Sequence, residues 1–456
     1  MSNQFLEIDR SEPILLPGNL EGWLDGNDLA RFIVDLVEVL DTGEIEDTYR
    51  GGGSAPYPPK MLLALLFYCY AKGIFSSRKI EQATYELLPV LYIAGGTHPD
   101  HDSINTFRQR FLPQFEALFV QVLLMAHAMG VLKLGDVSLD GTKIDANASK
   151  HHAMSWAYAE RLEQQLQVEV QTLLEQAATA GGPGAVDIDL PAELKRREDR
   201  LAKIAEVKAE ISRRAAVRDA EERAAYEANL AERAAKEAAR GRKLGGHPPQ
   251  APVPGPRATD QVNFTDGESR IMPVSGGGFA QAYNAQATVT ISSRLIVGAH
   301  LTQNPNDKQE IAPALAELAT LPACLGSVVG LNADNGYLSE SNVNRVVGAG
   351  IEPLIAQGRQ THYEALEVRL APVPAAPENP TPLQAMQHRL KTPEGKARYA
   401  QRKTTSEPVF GIIKEVMGFR RFCLRGLEKV KGEWRLVCLA YNLKRLCVLR
   451  QGVSAS

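Results

Sequence analysis

The sequence predicts an α/β protein with three parts: a core holding parallel strand pairs, an all-α N-terminal domain, and a helical hairpin set into the core. Three observations carry this. Apolar residues keep helical spacing through residues 58–132. Short apolar strands alternate with capped helices late in the chain, an order that implies parallel pairs. Between the first strand and the others lies a long stretch with helical periodicity and no strand signal.

Residues 1–54 read as an acidic N-terminal segment. Pro58 and Pro59 precede MLLALLFYCYAKGIF, a buried helix by composition, ended by Gly73. Ser76 or Ser77 can cap a second helix, roughly Arg78 to Leu88. Asp102 and Ser103 are placed to cap INTFRQRF, and Pro113 opens a long apolar helix to about Leu132. This helical module, residues 55–133, reads either as a helix-turn-helix variant with Arg108 and Arg110 reaching DNA, or as a plain bundle with exposed arginines.

The core is expected over residues 134–150 and 259–450. In its first strand Val137 and Leu139 alternate with Ser138 and Asp140. Residues 151–258 interrupt it. Leu162, Leu166, Val170 and Leu173 share one helix face, and Gly181–Gly184 makes a turn. A second helix from Pro191 to about Arg240 carries Leu194, Leu201, Ile204, Val207 and Ile211 on one face. A Pro/Gly-rich linker, residues 241–258, follows.

Strands return at Ala282–Ile291 and Leu295–Leu301. Asp307 reads as the cap of the next helix, and Ser327–Ala333 as a short buried strand running into Asp334. Ser339 caps another helix. Ile351–Ala356 is a last strand, placed at an edge by Pro353. A loop with five prolines between Pro372 and Pro382 leads to a helix begun by Thr392-Pro393-Glu394. Gly411–Met417 continues a helical pattern, and Trp434–Leu449 closes the chain.

The net charge of −3 hides an asymmetry. Residues 1–50 hold 12 acidic and 3 basic side chains, whereas residues 391–450 hold 15 basic and 5 acidic. A basic tail segment points to a polyanion partner, against the plainer reading of a solvated surface. The five cysteines are scattered, with no CxxC pair, so neither a disulfide framework nor a zinc site is supported. That usage fits a reducing cytoplasm. No signal peptide is seen, and the longest apolar run, Met61–Ala71, is too short to span a bilayer.

Three acids stand out. Asp140 lies in VSLDGTKIDANAS, Asp334 in VVGLNADNGYLSE and Glu407 in YAQRKTTSEPVFGIIK. They are hard oxygen donors with no Cys or His beside them, a chemistry suited to Mg²⁺ acting on a phosphodiester. Taken singly, Asp140 before Gly-Thr and Asp334 before Asn-Gly also read as turn residues. Asp145 rivals Asp140, and Asp136 and Asp266 are further acids of the region. His151 and His152 read as an exposed loop pair, since nothing supplies more nitrogen ligands. Trp156 is open to stacking on a base or to packing at the hairpin root.

With these motifs the chain resembles a DDE transposase of a bacterial insertion sequence, of the type with a Tyr-Arg-Glu-Lys signature. The resemblance covers roughly residues 55–150 and 260–450. Its specific pieces are YPPKMLLALLFYCYAKGIFSSRKIE, HDSINTFRQRF, DGTKIDANAS, ADNGY and YAQRKTTSEPVFGIIKEVMGFRRFCLRGLEKV. It implies an RNase H-like core with Asp140, Asp334 and Glu407 holding two Mg²⁺ ions, for which Mn²⁺ can substitute. It also implies Tyr399, Arg402 and Lys414 as contacts to the DNA end. Four residues separate Arg402 from Glu407 where the family has three, so either Arg402 or Lys403 fills the arginine position. Pro408 sets Glu407 near a helix start.

The activity so implied is Mg²⁺-dependent cleavage at transposon ends and strand transfer to target DNA. It would be carried out by a homodimer on paired ends, in the bacterial cytoplasm at the nucleoid, with no membrane. Two other readings stay open: an RNase H-like nuclease that cuts without joining, and a domesticated, non-catalytic DNA-binding protein.

Overall fold

A computed structural model describes residues 18–49, 55–179, 190–274, 276–358 and 375–454. Much of the acidic head, the Gly181–Gly184 turn and the first prolines of the five-proline loop lie outside these. The chain divides into two compact units. One comprises Met1–Asn147, Met272–Gly278 and Ala282–Ser456, the other Ala148–Ile271 and Phe279–Gln281.

The larger unit begins with seven helices: α1 Leu29–Glu38, α2 Gly43–Glu46, α3 Pro59–Ala71, α4 Ser77–Glu86, α5 Leu88–Ile93, α6 His101–Arg110 and α7 Gln114–Ala128. Helix α3 starts on its proline and is buried from Leu62 to Ala71, so it is apolar all round. The cap of α6 is Asp100, whose carboxylate takes the Ser103 amide at 2.8 Å; the expected caps Asp102 and Ser103 fall inside the first turn.

The six-stranded sheet combines β1 (Asp136–Asp145), β4 (Arg270–Pro273), β5 (Phe279–Thr290), β6 (Ile296–Thr302), β7 (Gly330–Ala333) and β8 (Glu352–Ile355). The two-stranded β2 (Ala153–Ser155) and β3 (Gln261–Asn263) are separate from it. Strand β1 is central. It pairs antiparallel with β5, which pairs antiparallel with β6, and parallel with β7, which pairs parallel with β8. Pro353 sits in β8, the edge strand, where its missing donor costs no ladder bond.

Helices α10 (Ile311–Thr320) and α11 (Glu340–Gly348) flank β7 in sequence. The tail forms α12 (Pro382–Arg389), α13 (Pro393–Ala400), α14 (Ser406–Gly411) and α15 (Leu427–Ser454). Helix α15 packs against α3, α7 and β6, and its Trp434 is fully buried, donating its indole N–H to the Gln286 carbonyl at 3.0 Å. The mixed α/β architecture with a helical N-terminal region is therefore the one the sequence implied.

The smaller unit is a hairpin of α8 (Trp156–Thr179) and α9 (Leu190–Arg240) on the β2–β3 ribbon. Leu166, Ile204, Val207 and Ile211 form its seam with Met154, Ala159 and Val262. Trp156 packs against this cluster with Lys208 over its ring. Lys208–Glu163 and Arg197–Glu169 pairs join the two helices at 2.7 and 2.8 Å. With 51 residues, α9 is about 75 Å long. Among the described residues no single helix is long and apolar enough to cross a membrane.

Candidate functional site

Parallel pairing brings the two aspartate motifs together. The register runs Asp136 with Gly330, Val137 with Leu331 and Ser138 with Asn332, so Asp140, midway along β1, lies level with Asp334, just past the end of β7. Ligands of open α/β sheets gather at such strand ends. Asp334 stands just past β7 and accepts the Gly336 amide at 2.7 Å, opening a short 3₁₀ turn. Asp140 accepts the Gly141 amide at 2.9 Å.

The β1–β5 register is unbroken from Val137 to Asp145, so Gly141 does not bulge the strand. Asp145, five residues on, therefore faces the other side of the sheet from Asp140. It lies 3.9 Å from Arg421. Asp136 is taken by Arg398 at 2.8 Å. Asp266, buried, belongs to the smaller unit.

The basic tail crosses the Asp140 face. Residues Gln401–Thr404 form a 3₁₀ turn, and Ser406 then starts α14 with Glu407 in its first turn. That turn absorbs the additional residue between the arginine and the glutamate, so Arg402 points at the acids. Its Nη1 lies 3.0 Å from Asp140 Oδ2, and its Nη2 lies 3.4 Å from Glu407 Oε1. Ser406 donates its hydroxyl to the same Asp140 oxygen at 3.0 Å. Lys403 is exposed.

The electrostatics follow from this packing. Burial, helped by the Asp334 charge, pushes the Asp140 carboxyl up to about 6, against the pull of Arg402, the Gly141 amide and Ser406. Burial works against the Arg402 charge, but Asp140, Tyr399, Asp334 and Glu407 together hold it above its ordinary value. Tyr399 is raised by burial, opposed by its hydrogen bond to Arg402. Lys414 donates to the Lys143 carbonyl at 2.9 Å, and burial lowers its pKa.

One predicted DNA contact is corrected. Arg108 is only 3% exposed and cannot reach a ligand as placed. It donates to Tyr70 Oη at 2.9 Å, the Phe75 carbonyl at 2.8 Å and Asn105 at 2.8 Å. The reason is its position: Ile104, Phe107, Arg108 and Phe111 share one helical face, and that face is buried. Arg110 is exposed, lying over the Tyr49 and Phe111 rings.

Asp307 also differs from its expected role. Helix α10 starts at Ile311 with Glu310 at its cap position, and no side-chain cap is made. Asp307 instead accepts from the amides of Asn284 and Gln286 on β5 at 2.7 and 2.8 Å. Sequence reasoning missed these two amides and Ser406. The signal was present in β5, where Asn284, Gln286, Thr288 and Thr290 recur at every second position, all buried.

The acids are oxygen donors, which suits a divalent cation. The Arg402 guanidinium already stands as a cation between Asp140 and Glu407. Among the described residues no three Asp, Glu, His or Cys side chains are arranged to hold an ion as they stand. The donor set fits the ion by chemistry, and occupancy requires the guanidinium to yield.

The fold and site together define a mixed α/β protein with aspartates level on adjacent parallel strands, crossed by a basic helical tail. Two family models match the chain: a transposase DDE domain over residues 373–447, and a transposase domain (DUF772) over residues 18–110. Together they support a DDE transposase of the insertion-sequence type. The first match carries Tyr399, Arg402, Glu407 and Lys414; Asp140 and Asp334 lie outside both. No curated protein and no solved structure matches the chain.

Proposed function

We propose that this transposase cuts DNA at the ends of its own element and joins the freed ends to target DNA. The observation that carries the reading is Arg402 bridging Asp140 and Glu407, with Asp334 on the neighbouring strand end. A central strand with antiparallel neighbours on one side and parallel neighbours on the other supports an RNase H-like core, with the α8–α9 unit as its insertion.

Asp140, Asp334 and Glu407 would hold two Mg²⁺ or Mn²⁺ ions. Bound there, such ions offset charge that develops on a phosphodiester under attack. The chain's own residues supply the rest. Arg402, released from the acids, can pair with phosphate through its two-pronged guanidinium. Tyr399 orients Arg402, and Lys403 and Arg110 add exposed positive charge. Lys414 braces the β1 backbone and turns to the DNA only if that bond opens.

In the first step a water oxygen bonds to phosphorus and the DNA 3′-oxygen leaves as a hydroxyl. In the second, that hydroxyl attacks a target phosphodiester and displaces the target's own 3′-oxygen. Action on paired ends implies a homodimer. The bacterial cytoplasm, at the nucleoid, is the compartment this reading requires.

The test uses the gene with its native flanking DNA as substrate. Asp140→Asn and Glu407→Gln are expected to lower end cleavage by about a thousandfold, the scale of several kcal/mol of charge stabilisation. Wild-type rates in both folded variants would refute the assignment. Tagged target DNA separates a joining enzyme from a nuclease that only cuts.

A further inference from the structure

Asp307 lies between Gly141, which follows Asp140 within β1, and Gly336, in the turn that follows Asp334. Its Oδ1 accepts from Asn284 Nδ2 at 2.7 Å and Gln286 Nε2 at 2.8 Å, and Lys143 Nζ stands 3.7 Å away. Each nitrogen has one other acceptor, the Asn304 carbonyl for Asn284 at 3.1 Å and Asn284 Oδ1 for Gln286 at 3.0 Å, and both residues are fully buried, so loss of the carboxylate strands one N–H of each away from water.

On one side Asp307 fills the space beside Gly141, where a Cβ would come 2.9 Å from Asp307 Oδ1 and 2.1 Å from Gln286 Nε2. On the other it fills the space beside Gly336, where a Cβ would come 3.5 Å from Asp307 Oδ2 and 2.9 Å from Asp334 Oδ1. Gly141 is the residue whose amide binds Asp140, and Gly336 the one whose amide binds Asp334. One side chain thus stands against the peptide that cups each aspartate.

Two further ties close the arrangement. Asn342 Nδ2 donates to the Lys308 carbonyl at 2.7 Å and the Tyr337 carbonyl at 2.8 Å, joining the Asp307 segment to the Asp334 turn. The buried Tyr337 hydroxyl donates to Gln286 Oε1.

We propose that Asp307 is a positioning residue: as a hydrogen-bond acceptor for two buried amides, it fixes the backbones of Gly141 and Gly336 and so sets the spacing of Asp140 and Asp334. This rests on the reading of those aspartates as an ion-holding pair. Asp307 acts through the β1 backbone at Gly141 and the turn at Gly336, and does not hold the ion. Its Oδ1 is occupied by amide donors, and Lys143 offsets its charge.

The test compares Asp307→Asn and Asp307→Ala in the full chain by three measurements. These are end cleavage with KM and kcat separated, Mn²⁺ titration calorimetry without DNA, and amide hydrogen exchange across residues 330–340. Asparagine keeps the accepting oxygen, so Asp307→Asn is expected to stay within about threefold of wild type, as a conserved hydrogen bond predicts. Alanine removes it. Asp307→Ala is expected to lower kcat about a hundredfold at unchanged KM, the cost of misplacing reacting groups by roughly 1 Å. It is also expected to weaken Mn²⁺ binding about tenfold, as loss of a supporting contact does, and to speed exchange at Gly336.

An alanine variant indistinguishable from wild type overturns the proposal. So does an asparagine variant as damaged as alanine, which would make Asp307 a ligand. Should Asp307→Ala fail to fold, Asn284→Leu removes one of the two donors to Asp307, together with the acceptor of the second Gln286 N–H, and is expected to lower kcat about tenfold; no change there overturns the proposal equally. Wild-type protein that neither cleaves nor binds Mn²⁺, while Gly336 exchange still follows Asp307, sinks the ion-holding reading and leaves the positioning of the Gly336 turn standing.

Discussion

Arg402 holds Asp140 at 3.0 Å, and both side chains are largely withdrawn from water. A buried carboxylate tolerates such a site only with a partner, and here that partner is a cation from the transposase-matched tail. Any divalent ion must compete with it.

Replacing the guanidinium exposes that competition. Arg402→Gln is expected to bind Mn²⁺ about tenfold more tightly than wild type, a gain of about 1.4 kcal/mol, because no resident charge has to move. End cleavage should fall despite the tighter binding, if Arg402 serves the phosphate as proposed. Calorimetry on the DNA-free variant checks the first part; unchanged or weaker Mn²⁺ binding would contradict it.

Lys403 lies next to Arg402 in the chain but is exposed. Lys403→Ala should weaken DNA binding evenly across sequences and reduce the salt slope of log K by about one, as loss of a single phosphate contact does. Binding measured at several salt concentrations decides this. An unchanged slope would remove Lys403 from the interface.

Arg108 belongs to the stability of the fold. Through Tyr70 it is linked to Glu433 of α15, which lies 3.0 Å from Tyr70 Oη and accepts the Cys423 and Leu424 amides. Burial pushes the Glu433 carboxyl up, and Arg108 pulls it down. Arg108→Met leaves that acid without its nearest cation, so a loss of about 3–5 kcal/mol is expected in denaturant melts. A loss under 1 kcal/mol would show that the relay contributes little.

His300 sets a pH dependence. It lies 3.0 Å from Glu310 and 3.6 Å from Glu317, and Glu317 pairs in turn with Arg435 at 2.9 Å, which also binds Glu116. Burial opposes the imidazolium, but the hydrogen bonds to both glutamates outweigh it and hold its pKa above 6.5. Burial likewise opposes the two carboxylates, yet His300, with Asn304 and Thr302 at Glu310 and Arg435 at Glu317, carries both below 4.5. The histidine's contribution is therefore complete below pH 6.5 and is lost as pH rises through its raised value. The glutamates' contribution is complete above pH 4.5 and lost on acidification. Tm should fall on the alkaline side in wild type and flatten there in His300→Gln. Equal slopes in both proteins would exclude this triad as the cause.

Much of the fold was legible because its signals are local. Thr392-Pro393 opens α13 with the threonine side chain bound to the Gly395 amide, and Pro353 marks an edge strand. The motifs singled out Asp140, Asp334 and Glu407, and the fold sets Asp140 and Glu407 on Arg402 with Asp334 level on the next strand. Their surroundings were less legible, because they depend on tertiary contacts. Asp307 has the sequence of a helix cap but is claimed by amides more than twenty residues earlier. The choice between Arg402 and Lys403 turns on a single 3₁₀ turn, which spacing alone does not show. Arg108 could have been read correctly, since its spacing from Ile104, Phe107 and Phe111 puts it on the apolar face.

The pairing of β1 has a consequence for the protein's synthesis. Its neighbours begin at Phe279 and Gly330, well over a hundred residues downstream. At about 5–20 residues per second, a ribosome needs roughly 7–30 s to deliver the first of them. For that interval the emerging strand has no ladder partner, while the α8–α9 hairpin, built from near neighbours, can already close. The hairpin thus has its packing partner in hand before β1 does, and chaperone demand should peak before β5 emerges.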